Sequence, residues 1–446
     1  MEQIIKQIVT HFTDNDLYTF TCQYYILHTY PRAEVRYAFF DRNHTRYPQG
    51  FGELLQEQIN GMKDVIITEE EIAFMKRKIY FLPDWYYNFL RGFRFNPSEV
   101  HISQDQSGYL SIVIEGKWYS TIMWEMPILS TISELMHIVN GDMILVNMNT
   151  VFQEAFSKGN KLIANGVSWS DMGTRRRFSF DVQREVVRGL KAAQEAVESG
   201  KGSNVGSIVE PSKQGKFVGT SNVWFAKEFD LGVIGTLSHQ VVCFEECVSG
   251  VFECNYNVMD KWSHCYDGDV GIYLYDAFGD KVFFNNLSKR LAKTFDGLRV
   301  DSGDEKEQTE KIIAKYQSLG IDPSTKAIVY SNALDVDKAI ELHKWVNGRM
   351  KDSVGIGTHL CADVSYLWCE TLGTPMVIDE VKDSKTIRHG YPVEIKKFAY
   401  SNIVIKLTGF RITESREWKD AVKLSCDRGK TLGNNEKCEY LLKVTA

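Results

Sequence analysis

An arginine and two aspartates lie together at positions 299–304 of the 446-residue chain. Arg299 stands inside an apolar stretch typical of a buried strand, where a charge is costly unless it is paired or faces a ligand, so we expect it to meet an anion. Asp301 and Asp304 follow that stretch, and their carboxylates could bind ribose hydroxyls or coordinate Mg²⁺. The alternative is a structural Arg–Asp pair, with Ser302 or Asp304 capping a helix.

Two Gly-Thr turns fall where strands of the predicted sheet should end. The first, at 219–222, contains Thr220 and Ser221, and the second, at 235–239, ends on His239. Each turn offers backbone N–H groups and hydroxyls to a ligand. His239 could titrate near neutrality or act as a nucleophile through an imidazole nitrogen. A purely structural histidine is the alternative for this position.

Two further segments have the composition of phosphate sites. Residues 173–179 place three consecutive arginines before a serine that can cap a helix, and arginine forks and helix N–H groups both bind phosphate oxygens. Residues 355–358 read Gly-Ile-Gly-Thr, similar to the glycine-rich phosphate loop that barrels form after their last strands. The alternative for residues 173–179 is a solvated basic turn, and the alternative for residues 355–358 is a simple tight turn.

Strands alternate with helices from about residue 142 onward, which is typical of parallel βα units. The periodicity predicts strands at 297–300, 327–330 and 353–356, and helices beginning after Ser179 and at Val336. The polar residues described above all fall just after these strands. Their placement predicts a barrel whose site lies at the carboxyl ends of its strands.

The two ends of the chain have a different character. Residues 1–140 are rich in aromatic side chains and mix strand and helix patterns, and residues 372–446 contain short strands without intervening helices. We expect the C-terminal strands to return to the N-terminal part. The sequence therefore predicts an α/β fold, with an irregular TIM-like α/β barrel over 141–371 and an α+β domain formed from both chain ends.

Composition excludes several classes of protein. Hydrophobic residues make up 43% and charged residues 25%, close to the globular average, which excludes a disordered or collagen-like chain. A net charge of -6 argues against nucleic acid or an anionic membrane as the main partner. The odd number of nine cysteines, together with an N-terminus unlike a signal peptide and the lack of a long apolar run, predicts a cytoplasmic protein outside membranes.

In this order the motifs resemble those of nicotinate phosphoribosyltransferases, which have the type II phosphoribosyltransferase fold. The resemblance extends from about residue 10 to a Gly-Lys-Thr segment at 429–431, and its motifs stand at 15–21, 173–179, 219–222, 235–239, 299–304, 331–335 and 355–358. It implies a homodimer with shared active sites. It also implies the conversion of nicotinate and phosphoribosyl pyrophosphate to nicotinate mononucleotide and pyrophosphate, a step of NAD biosynthesis, with Mg²⁺ and coupled ATP hydrolysis.

The resemblance also implies substrate-binding roles. Tyr18 matches a tyrosine that stacks on the pyridine ring from across the dimer, and Arg175 matches an arginine that holds phosphate. Ser221 stands where the related nicotinamide enzyme has an aspartate bonded to the amide, and Arg299 matches the residue that meets the nicotinate carboxylate. The substrate-binding residues implied in this way are Asp16, Tyr18, Arg175, Thr220, Ser221 and Arg299.

The remaining implied roles concern catalysis and phosphate. His239 matches the histidine that ATP phosphorylates, while Asp301 and Asp304 would orient the sugar and hold Mg²⁺. Phosphorylation of His239 would add negative charge beside the pyrophosphate and metal site. The residues expected to bind phosphate are Ser331, Asn332, Gly355, Gly357 and Thr358.

Two positions depart from the pattern of the family. Met172 stands where an aromatic residue usually completes the clamp on the pyridine ring, although a thioether can also pack on a ring face. Gln240 follows His239 where glutamate is frequent, which removes a charge that could orient the imidazole or a metal.

Three other functions are compatible with parts of this pattern. A nicotinamide-specific transferase is the nearest, and Ser221 together with the Gly-Thr-x-x-His spacing counts against it. A catalytically silent barrel that binds a sugar phosphate is the second. A protein that binds divalent metal through oxygen ligands, without pyridine or phosphoribosyl ligands, is the third.

Overall fold

The computed structural model describes residues 5–199, 214–376, 385–388, 391–424, 431 and 433–445. Gly429 and Lys430 of the C-terminal motif lie outside these residues. The α-helices are α1 (Leu17–Thr29), α2 (Phe51–Gly61), α3 (Glu69–Lys78), α4 (Asp84–Gly92), α5 (Trp118–Thr121), α6 (Glu125–Val139), α7 (Met148–Ala164), α8 (Phe180–Glu198), α9 (Val223–Phe229), α10 (His239–Ser249), α11 (Cys254–Tyr266), α12 (Asp280–Asn286), α13 (Lys289–Thr294), α14 (Glu305–Ser318), α15 (Val336–Val346), α16 (Thr358–Cys361) and α17 (Asn435–Thr445).

Strands fall into three sheets. They are β1 (Glu34–Asp41), β2 (Val100–Gln104), β3 (Leu110–Lys117), β4 (Ser168–Asp171), β5 (Lys216–Thr220), β6 (Gly232–Val233), β7 (Ile272–Leu274), β8 (Gly297–Val300), β9 (Ala327–Tyr330), β10 (Lys351–Ile356), β11 (Ser365–Cys369), β12 (Thr374–Met376), β13 (Lys385–Arg388), β14 (Tyr391–Lys397), β15 (Ile403–Arg411) and β16 (Lys419–Asp420).

Seven parallel strands form the central sheet, in the order β6-β5-β4-β10-β9-β8-β7. The predicted mixed α/β fold with a parallel sheet is confirmed, and the sheet curls into a half-barrel. Among the described residues its edge strands, β6 and β7, do not pair with each other, so the barrel is open rather than closed. Because all strands run in one direction, their carboxyl ends meet on one side of the sheet.

Capping side chains begin the helices that follow these strands. Each accepts a hydrogen bond from the backbone N–H three residues later, which satisfies one of the free donors at a helix start; these caps are Ser179, Asn222, Asp304 and Asp335. The predicted strands at 297–300 and 327–330 have the predicted limits, and β10 begins two residues before position 353. Local sequence signals therefore place these elements.

Both chain ends contribute to a second, antiparallel sheet of order β16-β15-β1-β3-β2. β1 pairs with β15 from Glu34 opposite Arg411 to Asp41 opposite Ile403, so the last third of the chain returns to the first. β14 does not return to the N-terminal part as expected, because it joins β11, β12 and β13 in a separate four-stranded sheet. The proposed domain limits at residues 140 and 371 stay a prediction.

One hydrophobic core connects the half-barrel with the antiparallel sheet. It includes four fully buried tryptophans, two from the N-terminal part (Trp118 and Trp124), one from β4 (Trp169) and one from α11 (Trp262). Burying residues from both regions in one core fixes the antiparallel sheet over the carboxyl ends of the parallel strands. Among the described helices, none combines the length and apolar content that crossing a bilayer requires.

Candidate active site

A cavity of about 390 Å³ lies between the carboxyl ends of the parallel strands and the antiparallel sheet. Its walls include the turns after β5, β8, β9 and β10, the start of α10, and β15. All of the predicted site residues except Thr220 and Asp304 line this cavity. The structure therefore brings together His239, Arg299 and the loop at Gly355, which are far apart in the sequence.

The two exceptions have structural positions. Thr220 is buried behind the cavity wall, and its hydroxyl donates to Asp171 Oδ2 at 2.8 Å. Asp304 is exposed, and its Oδ1 accepts a hydrogen bond from the Glu307 backbone N–H at 2.8 Å. Gly303 adopts a positive φ of 80°, and Asp304 follows as the cap of α14. For Asp304, the helix-cap alternative is the one that the structure shows.

His239 begins α10 and contacts two carboxylates. Its Nε2 lies 3.1 Å from Asp276 Oδ1 and 3.8 Å from Asp301 Oδ2. Because a carboxylate can only accept when ionised, Nε2 carries the proton of a neutral imidazole and Nδ1 keeps its lone pair. Asp276 accepts a further hydrogen bond from the Ser302 hydroxyl, and Asp301 Oδ1 accepts one from Ser331 Oγ at 2.8 Å.

Asp276 is a site residue that the sequence analysis missed. It follows β7, so it carries the same signal as the others, a polar residue directly after a parallel strand. One ligand atom from each of His239, Asp276 and Asp301 lies within 4.8 Å of the others. Within the part of the chain that the structure describes, these three side chains form the group that could hold a divalent cation, and Asp304 is not part of it.

Burial and neighbouring charges set the protonation of this cluster. Burial and, to a smaller extent, the Lys423 cation lower the pKa of His239 to about 4, because the two aspartates oppose this only in part. Burial alone would raise the pKa of Asp301, but the charges of His239, Arg299 and Lys423 outweigh it and hold that pKa well below its usual range. Near pH 7 the imidazole is therefore neutral and Asp301 is ionised.

Cations surround the rest of the cavity. The Nε of Arg299 is buried and has no hydrogen-bond partner among the described residues. Lys406 on β15 and Lys423 also line the cavity, and burial lowers the pKa of Lys406 to about 8, with Lys423 and Arg175 adding to the effect and Glu125 opposing it. Buried cations beside one another indicate a site for an anion.

The three consecutive arginines have different surroundings. Arg175 lines the cavity, with its Nη1 4.0 Å from Glu125 Oε1. Arg176 also lines it and donates from Nε to the Ile403 carbonyl at 3.2 Å. Arg177 is fully buried and makes two hydrogen bonds to Asp14, of 2.7 and 2.8 Å. This segment is therefore a wall of the cavity rather than a solvated basic turn.

An aromatic slot occupies one side of the cavity. The Tyr18 hydroxyl donates to Glu125 Oε2 at 2.7 Å, which fixes the ring, and Met172 also lines the cavity. The Met172 thioether packs on Gly355, where a Cβ atom would lie 2.3 Å from Sδ, so a side chain at this position would displace Met172. The resemblance implied that Tyr18 enters from a partner subunit, whereas in this structure Tyr18 lines the cavity of its own chain. α1 begins beside the turn after β5, where the Leu17 N–H donates to the Ser221 carbonyl at 2.8 Å.

Comparison with known proteins identifies the same family that the sequence motifs resemble. The model of the nicotinate phosphoribosyltransferase (NAPRTase) family matches residues 167–384, and that of its N-terminal domain matches residues 13–133. A nicotinate phosphoribosyltransferase from Desulforapulum autotrophicum is 33% identical over 98% of this chain and 99% of its own. This chain belongs to the nicotinate phosphoribosyltransferase family.

Solved structures of the family agree with the fold. The nicotinate phosphoribosyltransferase of Porphyromonas gingivalis is 34% identical and superposes with a TM-score of 0.84, covering 98% of this chain and 100% of that chain. The Vibrio cholerae structure is 27% identical with a TM-score of 0.79, covering 98% of this chain and 94% of that chain.

Gln240, which departs from the pattern of the family, makes hydrogen bonds that connect neighbouring elements. Its Oε1 accepts hydrogen bonds from the Tyr37 hydroxyl and, at 3.1 Å, from Trp118 Nε1. These bonds hold α10 against β1 and α5. The carboxylates that contact His239 are instead Asp276 and Asp301, so an acidic residue at position 240 is not needed to orient the imidazole.

Proposed function

We propose that this cavity is the site at which the chain transfers a phosphoribosyl group to nicotinate, giving nicotinate mononucleotide and pyrophosphate in NAD biosynthesis. The observation that carries the proposal is the convergence of Arg299, His239 and the Gly355 loop on one cavity whose lining also includes Arg175, Lys406 and Lys423. Both substrates are anions, and the described wall offers them several arginines and lysines.

Nicotinate fits the slot beside Tyr18. The tyrosine ring, held by Glu125, offers a face for the pyridine ring, and Met172 offers an apolar contact. Arg299, with its unpartnered Nε, is the cation for the nicotinate carboxylate. In this orientation the ring nitrogen faces the interior of the cavity, where it attacks the anomeric carbon of the sugar.

The phosphoribosyl donor occupies the remainder of the cavity. Backbone N–H groups of the loop containing Gly355 and Gly357, with the Thr358 hydroxyl, suit a phosphate, because these donors line the cavity and can bind phosphate oxygens. Lys406 and Lys423 suit the pyrophosphate. As the bond to pyrophosphate breaks, negative charge grows on the leaving oxygens, and fixed cations stabilise that charge.

Mg²⁺ fits the oxygen atoms of Asp276 and Asp301, since carboxylates are preferred ligands of this ion. Bound there, it would neutralise charge on the pyrophosphate oxygens and orient the leaving group. Asp304 does not take part, because its carboxylate caps α14.

ATP coupling through His239 follows from the geometry of that residue. The neutral imidazole, held through Nε2 by Asp276, presents its Nδ1 lone pair as the nucleophile. Attack on the terminal phosphorus of ATP forms an N–P bond and releases ADP. The new phosphate would lie at the start of the 11-residue helix α10, where backbone N–H groups and the Lys423 cation favour negative charge.

A homodimer, which the resemblance implies, and a cytoplasmic location, which the composition predicts, complete the proposal. Because Tyr18 lines the cavity of the single chain, we expect each chain of the dimer to supply its own Tyr18.

A direct assay tests the function. Purified protein is incubated with phosphoribosyl pyrophosphate, Mg²⁺, ATP and either nicotinate or nicotinamide, and the mononucleotides are quantified. We expect turnover of nicotinate at least about 100-fold faster, and loss of most of it in Arg299→Ala. Preferential turnover of nicotinamide would support the nicotinamide-specific alternative, and binding without turnover would support the silent barrel.

Incubation with labelled ATP tests the coupling separately. We expect acid-labile phosphate on the wild-type protein and none on His239→Ala, with part of the ATP-independent transfer retained. Equal labelling of both proteins would contradict the assignment of His239.

A further inference from the structure

Asp16 and Ser221 form a hydrogen-bonded pair in the wall of the aromatic slot. Ser221 Oγ lies 2.8 Å from Asp16 Oδ1, and both residues are buried and line the cavity. The main chain fixes this pair, because the Leu17 N–H donates to the Ser221 carbonyl and the Val223 N–H donates to the Asn15 carbonyl. The Asp16 carboxyl does not cap its own helix, although it stands at the N-cap position of α1.

The direction of this hydrogen bond determines what the slot can bind. An ionised carboxylate has no proton, so Ser221 must donate its only hydroxyl proton to Asp16. Ser221 then offers only lone pairs to a ligand. A carboxylate ligand would meet those lone pairs and, behind them, a second negative charge, which is unfavourable in a buried site.

One added proton reverses the arrangement. A protonated Asp16 donates to Ser221 Oγ, and the Ser221 hydroxyl is then free to donate to the ligand. We propose that binding of nicotinate takes up one proton from solvent at Asp16, and that Ser221 thereby becomes a hydrogen-bond donor to the substrate carboxylate. Asp16 acts through Ser221 and is a positioning residue. The inference rests on the proposed place of the pyridine ring beside Tyr18.

The groups around Asp16 make this proton uptake feasible near neutral pH. Burial raises the pKa of Asp16 to about 6, and the Asp171 carboxylate at the end of β4 adds to the effect. Hydrogen bonds from Ser221 and Thr174, and the charge of Arg175, act in the opposite direction. Tyr18 faces Asp16 from the same helix, and Glu125 holds Tyr18 from α6. The carboxylate of bound nicotinate would bring a second negative charge into the slot, which further favours the protonated form of Asp16.

Calorimetry of nicotinate binding to the wild-type protein measures the proton directly. Titrations at pH 7.5 in two buffers of different ionisation enthalpy give the number of protons exchanged. We expect uptake of about one proton at pH 7.5 and much less at pH 5.5, where Asp16 is already mostly protonated. By linkage, affinity for nicotinate should fall about tenfold per pH unit well above the pKa of Asp16.

Asp16→Asn identifies the group that takes up the proton. The asparagine amide can donate to Ser221 at every pH, so this variant should bind nicotinate without proton uptake and with little dependence of affinity on pH. Glu99→Gln is the matched control, because Glu99 is also a buried carboxyl with a raised pKa, bonded to Trp124 Nε1, but it does not line the cavity. This control should take up a proton as the wild type does.

Nicotinamide provides a second control on the wild-type protein. Its amide N–H can donate to the lone pairs that Ser221 presents when Asp16 is ionised, so its binding should take up no proton. Nicotinate binding without proton uptake at pH 7.5, or equal uptake in Asp16→Asn, would overturn the inference and leave the proposed function intact. Failure of wild-type protein to bind nicotinate at all would overturn the proposed function as well. If Asp16→Asn does not fold, the comparison of buffers and of the two pyridines still decides.

Discussion

His239 depends on side chains that local sequence does not connect to it. Asp276 lies 37 residues further along the chain, yet its Oδ1 is 3.1 Å from His239 Nε2. A carboxylate in this position fixes the tautomer and the orientation of an imidazole, as the aspartate of a Ser-His-Asp triad does. We infer that Asp276 contributes more to the chemistry of His239 than Asp304, which the sequence analysis favoured.

Replacing these two aspartates tests that ranking. Asp276→Asn should lower the rate of His239 phosphorylation by ATP by about 10²- to 10⁴-fold, because the amide no longer enforces the reactive tautomer. Asp304→Asn is the matched control; asparagine is also a good helix cap, so the rate should change little. Labelled phosphate on the protein is measured over time. Equal losses in both variants would contradict the structural assignment.

At the scale of elements, a buried ion pair holds the segment before α1 against the N-terminal end of α8. Arg177 and Asp14 form a fully buried pair with two hydrogen bonds, and Asn222 Nδ2 also donates to Asp14 Oδ1 at 2.8 Å. This pair joins the segment carrying Asp16 to the one carrying Arg175. A buried ion pair of this kind fixes the relative position of the two segments more than it adds net stability. The cost of desolvating both charges offsets much of their attraction.

Removing one partner of the pair leaves the other charge buried. Arg177→Met should therefore lower the free energy of unfolding by about 3 to 5 kcal/mol. Arg188→Met is the comparison, since its partner Glu185 lies on the same helix and the Arg188 side chain is 49% exposed; we expect a change below about 1 kcal/mol. Urea unfolding measures both. A change below about 1 kcal/mol in Arg177→Met would contradict the role given to this pair.

A second link between elements depends on pH. His343 on α15 contacts Asp352 on β10 through Nδ1 and Oδ2, 2.9 Å apart, and this hydrogen bond raises the pKa of His343 although partial burial opposes it. A group with a raised folded-state pKa stabilises the fold fully below its unfolded pKa, about 6.5, and this contribution is lost as pH rises through the folded value.

His343→Gln should therefore lose more stability at pH 5.5 than at pH 8.5. Because the histidine is partly exposed, we expect a difference of at most about 1 kcal/mol. The measurement is the free energy of urea unfolding of both proteins at the two pH values. A loss that is the same at both pH values would show that the pair carries no charge-dependent stabilisation.

At the scale of the whole molecule, the antiparallel sheet completes the cavity of the half-barrel. β15 returns from the C-terminal part to pair with β1 and carries Lys406 to the cavity, while α1 places Tyr18 opposite the strand ends. One chain thus contains both the aromatic slot and the residues of the half-barrel that face it.

Mixing two variants tests whether one chain is sufficient. Tyr18→Ala and Arg299→Ala should each reduce nicotinate mononucleotide formation, and co-expressing them should give no more than the average of the two. If Tyr18 acted across a dimer, half of the sites in a mixed dimer could combine both native residues. Recovery of activity would therefore contradict the arrangement within one chain. Wild-type protein co-expressed with each variant provides the reference.

The sequence by itself located several elements of the half-barrel, and most of the site residues that it indicated do line the cavity. Capping residues such as Ser179 and Asp335, and apolar runs such as 327–330, are signals within a few residues, so they survive without knowledge of the fold. Polar residues directly after parallel strands share one side of the sheet for the same reason. That rule placed Asp301, Ser331 and Thr358 together.

Only the tertiary structure decided which side chains from distant segments of the chain meet. Lys406 and Lys423 carry no local signal. β15 brings Lys406 to the cavity by pairing with β1, and Lys423 follows β16, next to Leu424, whose backbone N–H donates to the Ala277 carbonyl. The turn at Gly303 directs Asp304 to the helix cap, and the packing of α1 keeps Tyr18 in its own chain. Side-chain contacts across such sequence distances depend on the packing of whole elements, and no short-range pattern encodes them.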